Sequence, residues 1–382
     1  MDEVDRRLLE VLRDRLETVA GIAQVKAEGL SFLRDHDRET ELLTRVEGWA
    51  RELGLDGFRT HEIFREIIAM SLKAQEEALL KRDQVERSSR GALRVAFQGI
   101  EASYSQLAAS KYFAARSASM EFVGQRTFAE ALAMAESGDV GYAFLPIENT
   151  TAGSINQTYD LLRQTDLRIV GEEILHVRHC LLGVEGAEPA GLQRVLSHPQ
   201  ALTQCSRYLA GLGEVELVAF EDTAASAREV RRAGLTTQGG IASFEAAEAY
   251  GLQVLEEGIA DQEENWTRFV VISGLEIELD PRIPSKTSLV LTTPHREGAL
   301  AHCLHILAEH DLNLTKLESR PVPSRPWEYL FYVDIEGSVD SESAALGIAE
   351  LRRECPYLRV LGSYPARTTA AGAVDRYNGS EE

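Results

Sequence analysis

The sequence has few cysteines, no long apolar run and no excess of basic charge. Its four cysteines lie far apart without a Cys-x-x-Cys pair, so we expect buried free thiols in a reducing compartment. No segment reaches the roughly 18 apolar residues of a membrane span. The charged start, Met-Asp-Glu-Val-Asp-Arg-Arg, lacks an apolar signal core. Together these absences predict a cytoplasmic protein without a membrane partner.

The balance of charge is strongly acidic, with a formal net charge of −21. This charge argues against nucleic acid as a partner, because neutralising phosphates requires a basic face. Nucleotide chemistry has no support either, since the sequence contains neither a Walker loop nor a Gly-x-Gly-x-x-Gly after a strand pattern. His176, His179 and Cys180 lie close together, but no distant ligand pair with suitable spacing joins them. We therefore expect no metal.

A length of 382 residues predicts two or three domains. Residues 1–84 contain no proline, and their apolar residues keep the spacing of a single helical seam. Residues 93–273 alternate short β-rich runs with helices, which predicts an α/β domain with mostly parallel strands. The apolar seam of the N-terminal helical region, residues 1–84, consists of Val4, Leu8, Val11, Val19 and Ile22.

A third region follows a linker with two prolines at residues 279–286. Residues 286–364 read as strand, helix, strand, strand, helix, strand, which is the βαββαβ order of a ferredoxin-like sandwich. Residues 365–382 are rich in Ala, Gly and Ser and are predicted to form a disordered tail.

The most informative segment is Asn-Trp-Thr-Arg-Phe, residues 265–269. A polar cluster directly before a β-branched apolar run places Thr267 and Arg268 at a strand edge, where ligands are met. An ordinary strand entry has the same composition. Alternate residues of a strand point to opposite faces, so Thr267 is the stronger site candidate of the two.

Several segments in order resemble the prephenate dehydratase family. The motifs are Leu-Pro-Ile-Glu-Asn-Thr-Thr-Ala-Gly-Ser-Ile from Leu145, Leu-Ser-His-Pro-Gln-Ala from Leu196, and the Thr-Arg-Phe at Thr267. The resemblance implies a two-lobed α/β fold similar to type II periplasmic binding proteins. It also implies loss of CO2 and water from prephenate, without a metal or organic cofactor. Ala102 departs from the family, which usually has glycine there.

The resemblance implies roles for individual residues. Thr267 would assist the departing hydroxyl, with a proton relayed from Glu148 or from water. His198 could donate a proton or make a structural hydrogen bond. The hydroxyls, amide and glycine of residues 149–154 precede a helix whose free N–H groups could bind a carboxylate. The expected substrate contacts are Asn149, Thr150, Ser197, Gln204, Thr223 and Arg268.

The N-terminal helices resemble the all-helical chorismate mutase that is often fused ahead of this dehydratase. Arg15 and Lys26 are eleven positions apart and so share a helix face. Cations on an apolar seam favour a bound anion, although salt bridges between helices would also explain them. In the family an arginine lies about two turns before Asp5. That position precedes the first residue of this sequence, so an impaired mutase is an alternative. The expected substrate-binding residues are Arg15, Lys26, Asp35, Arg38, Glu39, Ser71 and Gln75.

The C-terminal region resembles the ACT regulatory domain in two motifs, Glu-Gly-Ala-Leu from Glu297 and Glu-Ser-Arg-Pro from Glu318. The resemblance implies L-phenylalanine as an allosteric effector. Gly298 opens a helix, which suits close approach of an amino-acid carboxylate. The expected effector-binding residues are Gly298, Ala299, Leu300, Glu318, Ser319, Arg320 and Pro321.

Taken together, the resemblances predict an enzyme that converts chorismate to prephenate and prephenate to phenylpyruvate, under feedback inhibition by phenylalanine. They also imply a homodimer or larger assembly. Two alternatives stay open for the activity: a prephenate or arogenate dehydratase with an inactive mutase, and a binding or sensor protein built on the same fold.

Overall fold

The computed structural model describes residues 2–26, 36–68, 70–71, 93–114, 120–275, 279, 284–322 and 328–367. The chain divides into two compact units, a helical one at the N-terminus and a larger one that holds the described residues from 93 onward. Among the helices of these ranges, none combines the length and apolar character that crossing a bilayer requires.

The N-terminal unit is helical, as the sequence predicts. Gly54 takes a left-handed φ of 71° after the second helix, and the Asp56 side chain then accepts from Arg59 N to start the third. Val46, Ala50 and Ile68 are buried, whereas four apolar residues of the first helix are more than half exposed: Val4, Leu8, Leu9 and Val11. The helices are α1 (Asp2–Lys26), α2 (His36–Glu52) and α3 (residues 57–68 and 70–71).

The first lobe of the larger unit is built on one sheet. Its strand order is β2-β1-β3-β11-β5, with the short β4 paired to β3. Helices α4 (Tyr104–Phe113), α5 (Phe128–Ser137) and α6 (Asn156–Gln164) accompany this sheet. The strands are β1 (Leu93–Gln98), β2 (Met120–Gln125), β3 (Tyr142–Asn149), β4 (Gly153–Ser154), β5 (Arg168–His176) and β11 (Trp266–Ser273).

The second lobe has its own sheet, in the order β10-β6-β9-β7-β8. The chain enters this lobe through residues 177–179 and leaves it through residues 258–265. The strands are β6 (Cys180–Gly183), β7 (Arg194–Ser197), β8 (Glu216–Ala219), β9 (Gln238–Ala242) and β10 (Gln253–Glu257). The helices are α7 (Pro199–Gln204), α8 (Ser206–Gly211), α9 (Thr223–Ala233) and α10 (Phe244–Tyr250), with a 3-10 turn at Pro189–Gly191.

The two-lobed α/β architecture is confirmed, but the expectation of mostly parallel strands is wrong. Strand β11 runs antiparallel to both β3 and β5, and β6 runs antiparallel to both β9 and β10. Among the described strands of the two lobes, only β1 with its neighbours and β7 with its neighbours pair in parallel. The reason is that the chain crosses between the lobes twice, and a strand that returns from the other lobe enters its sheet from the opposite end.

The C-terminal region has the predicted βαββαβ order, with sheet order β13-β14-β12-β15. One face is covered by the two helices, whose core includes Ile306 and Leu351. The other face packs on the first lobe, because Tyr332 and Tyr364 share a core with Leu145 of β3. The elements are β12 (Ser285–Thr292), α11 (Ala299–Glu309), β13 (Leu314–Pro321), β14 (Tyr329–Glu336), α12 (Glu342–Glu354) and β15 (Tyr357–Pro365).

The C-terminal sheet approaches the sheet of the first lobe closely. A Cβ added at Gly362 of β15 would lie 2.1 Å from Ile169 O of β5, so only glycine allows the backbones to come this near. The backbone N–H of Arg367 donates to Glu172 at 2.7 Å, so the structured region extends to residue 367. Residues 368–382 of the predicted tail lie outside the described residues.

All four cysteines are buried free thiols, as the sequence predicts. The Sγ atoms of Cys303 and Cys355 are 3.7 Å apart in the core beneath α11 and α12.

Candidate active site

Strands β3 and β11 lie side by side and carry the strongest candidate residues. Thr267 pairs with Asn149, and Arg268 pairs with Glu148. Because successive side chains of a strand alternate between faces, Thr267 and Asn149 share one face of the sheet. Arg268 and Glu148 share the other. The four predicted site residues therefore do not form one cluster, because the sheet lies between the first pair and the second.

Asn149 is buried and organises the site by its amide group. Its Oδ1 accepts from the backbone N–H groups of Thr151 at 3.0 Å and Ala152 at 2.8 Å. These two donors fix which end of the amide is the oxygen. The Nδ2 group must therefore point the other way, where it donates to Thr267 Oγ1 at 2.9 Å and to Asn265 Oδ1 at 2.7 Å.

The Thr267 hydroxyl is left as a hydrogen-bond donor. Its oxygen accepts from Asn149, and within the described ranges no acceptor is found for its own proton. A hydroxyl carries one donor and two acceptor positions, so the proton is available to a ligand. The residue is 8% exposed, which keeps this donor in a weakly screened environment.

The second lobe contributes Gln204, from the end of α7. Its Nε2 group donates to Thr151 Oγ1, whose hydroxyl in turn donates to Asn149 Oδ1 at 2.7 Å. Its Oε1 accepts from Asn265 Nδ2 at 3.2 Å. The structure therefore brings Thr267, Asn149 and Gln204 together as predicted, on a hydrogen-bond network that spans both lobes.

Three other predicted contacts have different surroundings. The Thr150 hydroxyl accepts from Trp266 N and donates to Glu264 O, so it ties the loop after β3 to the start of β11. Ser197 is fully buried and donates to Ile241 O at 2.7 Å, which contradicts a substrate contact through its hydroxyl. Thr223 opens α9 after its cap, Asp222, and its side chain is half-buried.

Arg268, which the sequence predicts to contact substrate, makes other contacts in this structure. Its Nε donates to Glu172 at 2.6 Å and its two NH groups to Asp334 at 2.7 Å and Tyr364 at 2.9 Å. Burial opposes its charge, but the carboxylates of Asp334 and Glu172 raise the pKa of Arg268 well above its ordinary value. The guanidinium is therefore committed to the contact between the first lobe and the C-terminal sheet.

Glu148 also belongs to the contact between the first lobe and the C-terminal sheet. Lys316 Nζ of β13 donates to its Oε2 at 2.5 Å, and Arg268 lies 3.8 Å away. Because its side chain leaves the opposite face of the sheet from Thr267, the predicted proton relay between the two is wrong.

The carboxylate site expected at the free N–H groups of α6 stays a prediction, and the loop before that helix has contacts of its own. The backbone N–H groups of Thr151 and Ala152 bind the Asn149 side chain, so they are not free for a ligand. His198 caps α7, since its Nδ1 accepts from Gln200 N at 3.2 Å; this is the structural hydrogen bond that the sequence left open. Burial lowers the pKa of His198, and Asp222 partly opposes that shift.

Sequence reasoning missed four members of this network: Tyr104, Thr151, His179 and Asn265. Asn265 stood inside the segment that the sequence singles out, and a polar residue at that strand edge was a usable signal. His179 gave no such signal, because its partners Tyr104 and Gln204 come from different lobes.

Of the residues predicted for the mutase, the structure brings two together. Arg15 Nε donates to Ser71 Oγ at 3.3 Å, and Ser71 is buried. Asp35 and Gln75 lie outside the described residues, as do the side chains of Lys26, Arg38 and Glu39.

The residues predicted to bind an effector fall at two places in the C-terminal region. Gly298 precedes α11 with a left-handed φ of 73° and open space around it, and Ala299 and Leu300 follow in the first turn. The second place is the end of the strand β13, where Arg320 pairs with Asp160 of α6 at 3.2 Å. The remaining predicted residues there are Glu318, Ser319 and Pro321.

The chain matches two family profiles. The profile of chorismate mutase type II matches residues 1–76, and that of prephenate dehydratase matches residues 95–276.

Individual proteins give the same result over longer stretches. A bifunctional chorismate mutase/prephenate dehydratase of Enterobacter agglomerans is 37% identical over 373 residues, which is 98% of this chain and 96% of the relative. An arogenate dehydratase/prephenate dehydratase of Arabidopsis thaliana is 40% identical over 291 residues, 72% of this chain and 74% of the relative. Among solved structures, a prephenate dehydratase from Arthrobacter aurescens in complex with L-Phe is 27% identical. It superposes with a TM-score of 0.64, over 75% of this chain and 97% of that one.

Proposed function

The chain belongs to the family of bifunctional chorismate mutase/prephenate dehydratases, and we propose that it catalyses both reactions in L-phenylalanine biosynthesis. It converts chorismate to prephenate, and prephenate to phenylpyruvate, CO2 and water. The observation that carries the dehydratase half is the Thr267 hydroxyl, which Asn149 orients as a donor.

In the dehydratase reaction the C–C bond to the ring carboxylate of prephenate breaks, and CO2 leaves. The electron pair enters the ring, which becomes aromatic as the C–O bond to the hydroxyl breaks. Thr267 donates a hydrogen bond to that departing oxygen, where negative charge develops. Because aromatisation drives the reaction, a preorganised donor is sufficient and a strong acid is not required. The departing hydroxide takes its proton from water.

For the mutase reaction, the helical unit supplies Arg15 and Ser71 as the described part of the substrate cage. A pericyclic rearrangement needs no acid or base. A site that holds the dianion folded and places donors at the ether oxygen is enough. Lys26, Asp35, Arg38, Glu39 and Gln75 complete the proposed cage.

The C-terminal region is proposed to be an ACT domain that binds L-phenylalanine, which makes the dehydratase feedback-inhibited. Its βαββαβ order and the two motifs near Gly298 and Arg320 support this assignment. The Arthrobacter relative with L-Phe supports the identity of the effector. If added phenylalanine changed neither the dehydratase rate nor substrate affinity, the assignment would fail.

The proposed domains are residues 1–84 for the mutase, 93–273 for the dehydratase and 286–364 for the regulatory domain. We further propose a homodimer or larger assembly. Support comes from the apolar side chains on α1, which are more than half exposed in the single chain: Val4, Leu8, Leu9 and Val11.

A Thr267→Val variant tests the dehydratase assignment, because valine keeps the shape and removes the hydroxyl. We expect its turnover of prephenate to fall by about 100- to 1,000-fold, the typical loss of one transition-state donor. Thr267→Ser, which keeps the hydroxyl, should retain most of the rate. Both are assayed on chorismate, with prephenate and phenylpyruvate measured separately.

The mutase activity of the same chain is the internal control for folding. Thr267→Val should still consume chorismate at the wild-type rate and accumulate prephenate. If the valine variant still formed phenylpyruvate at the wild-type rate, Thr267 would have no catalytic role. If the wild type converted prephenate but consumed chorismate only at the uncatalysed rate, the helical unit would be inactive as a mutase. A direct comparison of prephenate with arogenate decides the substrate, which the Arabidopsis relative leaves open.

A further inference from the structure

His179 occupies the segment where the chain crosses from the first lobe to the second. Residues 177–179 lie between β5 and β6, and the return crossing at residues 258–265 runs beside them. Val177 N donates to Asn265 O at 2.7 Å, and Ile259 N donates to His179 O at 3.2 Å. The imidazole ring is buried, at 2% exposure, and has no part in the function proposed above.

The ring bridges the two lobes. Its Nδ1 lies 3.0 Å from the hydroxyl of Tyr104, which begins α4 of the first lobe. Its Nε2 lies 3.0 Å from Gln204 Oε1, at the end of α7 in the second lobe. Burial lowers the pKa of His179, with the hydrogen bond to Gln204 opposing that shift, so the ring is neutral at pH 7.

The partners of Gln204 fix which nitrogen of the ring carries the proton. Asn265 Oδ1 accepts from Asn149 Nδ2, so the Asn265 atom that faces Gln204 is the donor Nδ2, and the Gln204 atom that faces it is Oε1. His179 therefore donates from Nε2, and Nδ1 is left as an acceptor. Asn265 Nδ2 supplies the second donor to Gln204 Oε1. The Tyr104 hydroxyl has one proton and two acceptors within reach, Arg178 O at 2.6 Å and His179 Nδ1 at 3.0 Å.

We propose that His179 is a positioning residue for the dehydratase reaction, which holds the Gln204 carboxamide so that the hydrogen-bond chain to Thr267 keeps one direction. This inference rests on the proposed dehydratase function. The chain runs from Gln204 Nε2 to the Thr151 hydroxyl, from that hydroxyl to Asn149 Oδ1, and from Asn149 Nδ2 to Thr267 Oγ1. Each member donates to the next, so the Thr267 proton remains free for the substrate.

A rotated Gln204 amide would reverse part of this chain. Its Oε1 would then face Asn149 Oδ1, which now lies 3.5 Å from Gln204 Nε2, and two carbonyl oxygens would repel each other. The Thr151 hydroxyl would also gain Gln204 Oε1 as an alternative acceptor to Asn149. Since small displacements of catalytic groups cost large factors in rate, the loss would appear in the chemical step.

Two substitutions of His179 separate positioning from packing. His179→Phe keeps a ring of similar size and has no donor, whereas the amide of His179→Gln places an N–H close to the position of Nε2. We expect the kcat for prephenate to fall by about 10- to 100-fold in the phenylalanine variant, as for lost supporting hydrogen bonds elsewhere. KM should change by less than about threefold, because the ring is buried and acts on the site through Gln204. The glutamine variant should recover most of the rate.

The mutase rate and the melting temperature of each variant are measured on the full chain as controls for folding. A phenylalanine variant with wild-type kcat would overturn the proposal. So would equal losses in both variants, because a role in packing alone gives no rescue by a donor. If the wild type had no activity on prephenate or arogenate, the dehydratase assignment would fall, and this inference with it; an active wild type with an unaffected phenylalanine variant would remove only the role of His179.

Discussion

Thr267 and Arg268 are neighbours on β11, yet their side chains serve different parts of the molecule. The alternation of a strand predicts that they point to opposite faces. It does not predict what lies on the far face, because Asp334 and Tyr364 come from strands 66 and 96 residues away along the chain. The error over Glu148 has the same origin, since its partner Lys316 is 168 residues distant.

Ala102 is the position at which the sequence departs from the family's glycine, and its backbone has a left-handed φ of 61°. An alanine in that region costs about 1–2 kcal/mol, while its buried methyl contributes about 0.8 kcal/mol. We therefore expect Ala102→Gly to leave the free energy of unfolding within about 1 kcal/mol of the wild type.

Ala102→Val is the matched opposite. A β-branched residue at this φ should destabilise the protein by at least about 2 kcal/mol, through backbone strain and overpacking. Urea denaturation of the three proteins provides the comparison. A glycine variant much less stable than the wild type would show that the methyl packing matters more than the backbone conformation.

At the scale of elements, four buried charges join the first lobe to the C-terminal sheet. Arg268 of β11 and Lys286 of β12 bind Glu172 of β5 at 2.6 and 3.0 Å, and Arg268 also binds Asp334 of β14. Burial opposes ionisation of Glu172 and Asp334, but Arg268 and Lys286 outweigh it and lower the pKa of both carboxyls. This arrangement is not visible in the sequence, where the four residues stand in unrelated strands.

Asp334→Asn should destabilise the larger unit by about 3–5 kcal/mol at pH 7, because, of these four residues, Arg268 and Lys286 then have only Glu172 as a counter-ion and the buried cluster keeps one net positive charge. The sign with pH follows from the lowered pKa of Asp334. Its contribution is fully present above the unfolded pKa of about 3.9 and is lost as pH falls through the lower folded pKa. The difference between variant and wild type should therefore shrink at pH 3.

Urea denaturation at pH 7 and pH 3 measures this difference. The control is Asp160→Asn, which removes a partly exposed ion pair with Arg320 and should cost less than about 1 kcal/mol. A constant difference for Asp334→Asn across that pH range would mean that its charge is not the source of the stability.

The order and type of the elements were largely predictable. The predicted alternation of short β-rich runs with helices over residues 93–273 is observed, and β1, β3 and β5 are among those strands. The direction of β11 was not predictable, since its run Phe269–Ile272 is a continuous apolar stretch that fits a buried strand of either direction. The candidate site was likewise predictable in part. Motif residues on one strand face were found, and those contributed by the crossing segments were missed.

On the scale of the whole molecule, the helical unit exposes an apolar stripe along α1, which the second copy of the proposed dimer would cover. Leu8→Glu places a charge in that stripe, and we expect it to shift the assembly toward monomers at micromolar concentration. Sedimentation velocity of the full chain measures the change.

Leu235→Glu is the control for that experiment, because Leu235 is also a leucine more than half exposed but lies after α9 in the second lobe. It should leave the sedimentation coefficient unchanged. A wild type that sediments as a monomer, or a dimer that Leu8→Glu does not weaken, would contradict a dimer built on α1.

The position of β11 has a consequence for the order in which the chain can fold during synthesis. This strand lies between β3 and β5, but it is translated after the entire second lobe. Until residue 273 has left the ribosome, the place between β3 and β5 is empty. The candidate site is also incomplete, because Thr267 belongs to β11. A nascent chain that stops short of this strand therefore presents two unpaired apolar edges, which are ready substrates for chaperones and for aggregation.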